Sequence, residues 1–237
     1  MNKDNDAIRY GNRLIRYSII YTERKTLEIA VHPNSSIIIT APQKCDKNKI
    51  KEKVKKRAKW IAKQLKYYTQ FEPRTPQKQF LNGETHLYLG KQYRLKIKTG
   101  LAEGVKLKRG YFIIAQRDKE NGERSKELLN QWYNYKAQTK FDEYFELCWK
   151  NFPRKSLFKP VLKIRRMKKR WGSLSKNGTL TLNLELIKAP KECIEYVITH
   201  ELCHTIHHNH SKEFYDLLGR TMPDWNKRKR KLEIMMS

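Results

Sequence analysis

The sequence has few cysteines and no long apolar run. None of its four cysteines forms a CxxC pair, which argues against a zinc ribbon and against a dense disulfide framework. The longest apolar runs, such as residues 18–21 and 36–40, are far shorter than the roughly 20 residues that a membrane span requires. The opening MNKDNDAIRY also lacks the apolar core of a signal peptide. These absences predict a cytoplasmic protein with reduced thiols and no membrane partner.

Acidic residues are scarce as well. The chain has 24 of them against 52 lysines and arginines, a formal net charge of +28. Such an excess attracts polyanions, so DNA or RNA is an expected partner through a basic surface, although a lysine-rich solvated surface would give the same count. The charge concentrates in residues 51–66, 165–170 and 227–231, with aromatic side chains nearby that could stack on bases. The predicted nucleic-acid contacts are Lys227, Arg228, Lys229 and Arg230, and the possible stacking residues are Trp60, Tyr67, Tyr68 and Trp171.

The order of the predicted elements indicates an α+β protein with two domains. A length of 237 residues, 38% of them hydrophobic, is enough for a sizeable core. We predict a strand-rich N-terminal domain over residues 1–121, with a basic helix over residues 47–68 and a connector at Pro73 and Pro76, and a second domain over residues 122–237. No internal repeat is evident. The predicted strands cover residues 16–21, 27–31, 37–40, 87–97, 105–115, 161–166 and 179–184, and a long helix covers residues 125–150.

The segment HELCH, from His200 to His204, is the strongest functional signal. Pro190 suits the first turn of a helix, and the apolar residues that follow it recur at helical spacing. Four residues advance a helix by roughly 400°, so the two imidazoles stack about one turn apart and can hold one ion. Glu201 lies beside them, where it can take a proton from metal-activated water. The spacing therefore predicts a site for one zinc ion per chain.

A third ligand would leave the fourth zinc position open for water, and His210 is the leading candidate. Because six residues rotate an unbroken helix by about 240° net, the helix must end near residues 206–208 for His210 to return. A carboxylate further along the chain is the alternative. His207 and His208 are expected in outer roles, and Cys203 as a core thiol. The alternative carboxylates are Glu213, Asp216 and Asp224.

Residues 161–232 resemble the YgjP-like family of predicted zinc metallohydrolases, relatives of the SprT-like proteases. The resemblance is carried by the RWGS block at residues 170–173, the TLTLN strand, the HELCH helix, the NHS turn at residues 209–211 and the MPD ending at residues 222–224. It implies a zincin-like second domain with HELCH on the active-site helix. It also implies that His200, His204 and His210 hold the metal and that Glu201 is the catalytic acid and base. The family commonly has cysteine where this chain has Leu174.

The RWGS block gives three candidate substrate-binding residues, Arg170, Trp171 and Ser173. In the zincin architecture an edge strand beside the cleft can pair with an extended peptide, although a tryptophan followed by glycine is equally compatible with a packing role. The leading hypothesis is a zinc metallopeptidase acting on a protein or peptide. The alternatives are a nucleic-acid-binding module with a structural zinc and a hydrolase of a non-peptide bond.

Overall fold

The computed structural model describes residues 3–24, 26–32, 35–43, 45–69, 78–153, 158–168 and 170–236. Its contacts divide the chain into two compact units, Met1–Thr75 and Pro76–Met236. The described residues form a mixed α+β structure with three β-sheets and five α-helices, which confirms the α+β prediction. Within these residues, none of the helices has the length and apolar character that a membrane span requires. The predicted connector at Pro73 and Pro76 lies outside the described residues.

The first unit is a four-stranded sheet and one long helix. Its strands are β1 (Lys3–Tyr10), β2 (Arg13–Thr22), β3 (Glu28–Val31) and β4 (Ile37–Pro42), followed by helix α1 (Lys47–Thr69). The strand order is β1-β2-β4-β3, with β2 and β4 parallel and the other two pairs antiparallel. In α1 the apolar residues Ile50, Val54, Ala58 and Ile61 recur at helical spacing and are fully or almost fully buried. The sequence predicted β2 to β4 and α1 close to their observed bounds and did not predict β1.

The second unit begins with another four-stranded sheet and a long helix. These elements are β5 (Thr85–Tyr88), β6 (Lys91–Thr99), β7 (Gly104–Lys108), β8 (Tyr111–Gln116) and α2 (Gly122–Asn151). The strands predicted over residues 87–97 and 105–115 are each divided by a two-residue turn, Leu89-Gly90 and Arg109-Gly110. All four turn residues have positive φ, as tight hairpin turns require.

The two four-stranded sheets have the same topology. The order β5-β6-β8-β7 repeats β1-β2-β4-β3, again with the middle pair parallel and the outer pairs antiparallel, and each sheet is followed by a long helix. The chain therefore contains a structural repeat that the sequence did not reveal.

The rest of the second unit is a three-stranded sheet and a set of helices. The elements are β9 (Val161–Arg165), β10 (Gly172–Leu174), β11 (Thr179–Asn183), a 3₁₀ helix (Leu184–Lys188), α3 (Lys191–Cys203), α4 (Lys212–Thr221) and α5 (Trp225–Met235). The strand order is β10-β11-β9, with β10 antiparallel to β11 and β11 parallel to β9. In the described part of the chain, β10 is thus an edge strand, and it comes immediately after the RWGS arginine and tryptophan.

The division at Thr75/Pro76 differs from the predicted boundary at residues 121/122, which falls at the start of α2. The reason is packing. Phe112 of β8 lies edge to face with Tyr133 of α2, with ring centroids 5.9 Å apart, and both rings belong to the hydrophobic cluster that also contains Leu180 and Ile194. The second sheet therefore shares its core with the helices that follow it. A composition change before α2 could not show this, because the contacts join residues far apart in the chain.

The Leu89-Gly90 turn holds the start of α3. The backbone N–H groups of Leu89 and Gly90 donate hydrogen bonds of 2.9 Å to the carbonyl oxygens of Ile187 and Lys188, in the 3₁₀ helix that precedes α3. Gly90 has φ +79°, and a Cβ built on it would lie 2.6 Å from Pro190 Cγ and 3.0 Å from Pro190 Cα. Only glycine satisfies both the turn and the contact.

We expect Gly90→Ala to destabilise the protein more than Gly110→Ala. Gly110 has φ +81° but nothing within 4 Å of an added Cβ, so its substitution carries only the backbone cost of about 1–2 kcal/mol. Gly90→Ala adds a steric cost of about 1–3 kcal/mol against Pro190. Urea unfolding of the two variants measures the difference, and equal losses would show that the turn does not pack tightly on α3.

Candidate active site

Helix α3 carries His200 near its end, and His204 is the residue that caps it. Pro190 precedes the helix, where its missing N–H group leaves no donor unpaired. The helix ends at Cys203, slightly earlier than predicted, and hydrogen-bonded turns continue until the His207 N–H group donates to the Cys203 carbonyl oxygen at 3.0 Å. Helix α4 then begins at Lys212. This break between α3 and α4 brings His210 back towards α3.

The three predicted histidine ligands lie together. Among the described residues, His200, His204 and His210 are the one group of three or more metal-binding side chains whose ligand atoms converge, all within 4.8 Å of one another. The Nε2 atoms of His200 and His210 are 3.0 Å apart. Tetrahedral zinc with bonds of about 2.0–2.1 Å holds two nitrogens about 3.3 Å apart, so this spacing fits a shared ion.

The protonation of the histidines also fits a metal. Nδ1 of His204 lies 3.0 Å from the carbonyl oxygen of His207, and because a carbonyl only accepts, Nδ1–H is the donor and the Nε2 lone pair is free. Burial, reinforced by the neighbouring His204 and His210 rings, lowers the pKa of His200 to about 4. Burial also lowers the pKa of His204. Neutral imidazoles are the form that binds zinc.

The rival ligands lie elsewhere. The Asp224 carboxylate accepts two hydrogen bonds of 2.9 Å from Arg228 Nε, and the exposed Glu213 side chain bonds to Ser211. Asp216 is not part of the three-histidine cluster either. His208 lines the same cleft as the three histidines without joining the cluster.

Glu201 is a buried carboxylate at this site. Its side chain is 6% exposed, and burial raises its pKa to about 7, against smaller opposing effects from a backbone hydrogen bond at Leu174 and the positive charge of Arg170. A carboxyl group with a pKa near neutrality can both accept and donate a proton at physiological pH.

Strand β10 lies directly against Glu201. A Cβ built on Gly172 would be 2.8 Å from both Cγ and Oε1 of Glu201 and 2.9 Å from Val197 Cγ1, so only glycine permits this approach. Two residues further along the strand, Leu174 contacts Glu201 through its backbone. A backbone contact does not depend on the side chain. The leucine at the family's usual cysteine position therefore leaves this interaction intact.

A cleft of about 1280 Å³ joins these groups. The residues that line it include His200, Glu201, His204 and His210 and the stretch 170–178. All three predicted substrate-binding residues, Arg170, Trp171 and Ser173, line it. Strand β10 follows Trp171 along this wall, and among the strands of the described residues it pairs with β11 alone.

Asn183 supports the cleft wall, and sequence reasoning did not assign it a role. Its side-chain Nδ2 donates to the carbonyl oxygens of Met167, at 2.7 Å, and Arg170, at 3.0 Å, and its backbone N–H donates to the carbonyl oxygen of Trp171 at 2.8 Å. Its Oδ1 accepts from Glu185 N at 3.2 Å. The sequence signal for this role was the asparagine at the end of the alternating TLTLN strand. A buried amide needs hydrogen-bond partners, and at a strand end these partners lie outside the strand.

The predicted nucleic-acid contacts lie on α5, where carboxylates neutralise part of the charge. Arg228 lies 2.9 Å from Asp224 and 3.0 Å from Glu195. Lys229 lies 4.0 Å from Glu233. In the neighbouring Lys231, Nζ donates to Glu192 at 2.6 Å. Arg228 and Lys231 therefore pair with carboxylates of α3, and Lys229 pairs with one within α5 itself.

Comparison with known proteins gives a family match. The family model described as YgjP-like, metallopeptidase domain, matches residues 25–235. A solved metallopeptidase zymogen, abylysin of Pyrococcus abyssi, is 22% identical over 40% of this chain and 91% of its own, with a TM-score of 0.35. The metallopeptidase zymogen jannalysin of Methanocaldococcus jannaschii is 23% identical over 39% and 86%, with a TM-score of 0.33. No curated protein matches.

We expect Gly172→Ala to destabilise the protein by about 1–3 kcal/mol, because the new methyl group would force Glu201 and Val197 away from β10. Gly104→Ala is the matched control, since an added Cβ there meets nothing within 4 Å. Urea unfolding compares the two. Equal stability would mean that β10 does not press against α3.

Proposed function

The chain belongs to the YgjP-like metallopeptidase family, and from this we propose that it is a zinc-dependent metallopeptidase of the HExxH type. His200, His204 and His210 would hold one zinc ion, and Glu201 would be the general base and then the general acid. The observation that carries the proposal is the convergence of three histidines beside a buried carboxylate in one large cleft.

The ligand set supports a catalytic metal over a structural one. A structural zinc site is closed by four protein ligands, whereas a catalytic site keeps one position open. The cluster in the described part of the chain has three members. Zinc, when bound, supplies a Lewis acid that polarises a carbonyl group and lowers the pKa of water.

Glu201 carries the proton transfers in this proposal. Its carboxylate oxygens accept a proton from the attacking water and return it to the leaving amine. Burial favours the neutral form of the carboxyl group, and the Leu174 backbone and Arg170 favour the charged form. The balance gives a pKa of about 7, which suits both halves of the cycle. Gly172 keeps the carboxylate against β10, so the proton acceptor lies beside the strand that is proposed to align the substrate.

An extended polypeptide is the substrate that the cleft wall favours. Within the described residues β11 alone pairs with β10, so the other edge of β10, apart from the Leu174 group bonded to Glu201, offers backbone groups to an added strand. Arg170, Trp171 and Ser173 lie along the same wall. This observation favours a peptide bond over another hydrolysable bond, because a substrate without a peptide backbone could not continue the sheet.

We expect the purified protein to hold about one zinc ion per chain and His200→Ala or His204→Ala to remove it. His210→Ala should weaken zinc binding more than His208→Ala, which alters the same cleft but leaves the three-histidine cluster complete. Loss of a ligand should exceed the roughly 10- to 100-fold effect of an outer contact. Chelator competition ranks the variants. Unchanged affinity in His210→Ala would assign the third ligand to another residue.

Glu201→Gln keeps the size of the side chain and removes the base. We expect it to retain zinc and folding while cleavage of an unstructured polypeptide such as casein falls by about 10²- to 10⁴-fold. Zinc content and the unfolding curve, measured on the same sample, exclude loss of the metal or the fold as the cause. Full cleavage by the zinc-loaded variant would contradict the proposed role of Glu201.

A further inference from the structure

The first unit contains a second cleft, of about 570 Å³, between α1 and β3. We call it the α1 groove. It is lined by Leu27, Ile29, Lys53, Lys56, Arg57 and Trp60.

The groove side chains of α1 lie on one face because of their spacing. These side chains stand at positions i, i+3, i+4 and i+7, so they extend along roughly 10 Å of the helix. They belong to Lys53, Lys56, Arg57 and Trp60. The buried stripe of α1, which includes Val54, lies about 100° away round the helix and packs in the core of the unit. The same helix therefore has one face for the core and a neighbouring face for the groove.

The groove cations Lys53, Lys56 and Arg57 are exposed side chains. Elsewhere on α1, Lys47 and Lys51 lie 2.9 Å and 3.6 Å from Asp4 and Asp6. Among the residues that the structure describes, no carboxylate forms an ion pair with a groove cation. This distinguishes the α1 groove from α5, where Arg228 is paired with two carboxylates. Three adjacent exposed cations form a site for an anion with more than one charge.

Trp60 adds an aromatic surface to these charges. Its side chain is 38% exposed beside Leu27 and Ile29. Trp132 in the second unit, by contrast, packs edge to face against Tyr88 and Phe112, at 4.8 Å and 5.0 Å between ring centroids. Within the described part of the chain, no aromatic ring packs against Trp60 in this way. An exposed indole next to cations can stack on a flat π-system.

We propose that the α1 groove binds single-stranded nucleic acid, with phosphates on Lys53, Lys56 and Arg57 and a base stacked on Trp60. A single strand is required because duplex bases are already stacked and cannot reach an indole. An acidic polypeptide would satisfy the cations but has no flat group for Trp60 unless an aromatic residue lies at a matching position. The proposal does not rest on the peptidase function, since the groove and the histidine cluster lie in different units.

The test is fluorescence anisotropy with the full chain and labelled oligothymidylate, oligouridylate and a DNA duplex. We expect both single strands to bind more tightly than the duplex. Neutralising the groove with Lys53→Gln, Lys56→Gln and Arg57→Gln together should lower the slope of log affinity against log salt by about 2, at about 0.7 for each phosphate contact. A preference between the two single strands would identify DNA or RNA as the better ligand.

The matched control neutralises Lys55, Lys59 and Lys66 to glutamine. These exposed lysines belong to the same helix but lie about 200–240° round it from Lys53, so the control loses the same charge on another face. Equal effects of the two triple variants would mean that only the overall positive field attracts the strand, and the groove proposal would be overturned.

Trp60→Ala tests the stacking separately. We expect affinity for the single strands to fall about 5- to 150-fold with the salt slope unchanged, and Trp60→Phe to restore most of it, because stacking contributes about 1–3 kcal/mol per base. Far-UV circular dichroism checks that each variant is folded. Absence of wild-type binding, tighter binding of the duplex, or unchanged affinity in Trp60→Ala would overturn the proposal. Polyglutamate serves as a competitor. If it displaces the oligonucleotide equally well from wild type and from Trp60→Ala, the groove binds acidic polypeptides instead.

Discussion

The candidate active site depends on the close contact between β10 and α3. Because Gly172 has no side chain, the strand approaches so closely that Glu201 and Val197 occupy the space that a methyl group on residue 172 would need. This contact buries the Glu201 carboxylate, and burial is the main cause of its raised pKa. Strand β10 also borders the same cleft. One packing contact thus determines the environment of the proposed base and the position of the strand proposed to align the substrate.

Much of the second unit holds α3 and β10 in these positions. The Leu89-Gly90 turn of the second sheet bonds to the 3₁₀ helix before α3 and packs on Pro190. Asn183 ties the end of β11 to the backbone that leads into β10. The core shared by β8, α2 and α3 then makes these contacts part of one packed body.

The repeated sheet topology shows how one arrangement can support two kinds of surface. In both cases the strand order is the same and a long helix follows, but the helices differ in what they expose. Trp132 of α2 is enclosed by other rings, whereas Trp60 of α1 is exposed beside cations. Side chains on one helix face, and not the fold, separate a packing helix from a proposed binding helix.

The sequence by itself determined the features that depend on local spacing. The i, i+4 histidines identified the metal-binding helix, the apolar period predicted α1 almost residue for residue, and alternating strands such as β11 were visible because side chains repeat every second residue. Tertiary structure alone decided the rest. The position of His210 depends on how the chain turns between α3 and α4. The pKa of Glu201 depends on a strand that approaches from elsewhere in the chain, and the ion pair between Arg228 and Glu195 depends on the packing of α5 against α3. The unit boundary likewise follows from Phe112 packing on α2. These properties arise from contacts between different elements of the fold, and no local pattern of residue types encodes which other element will fill a given space.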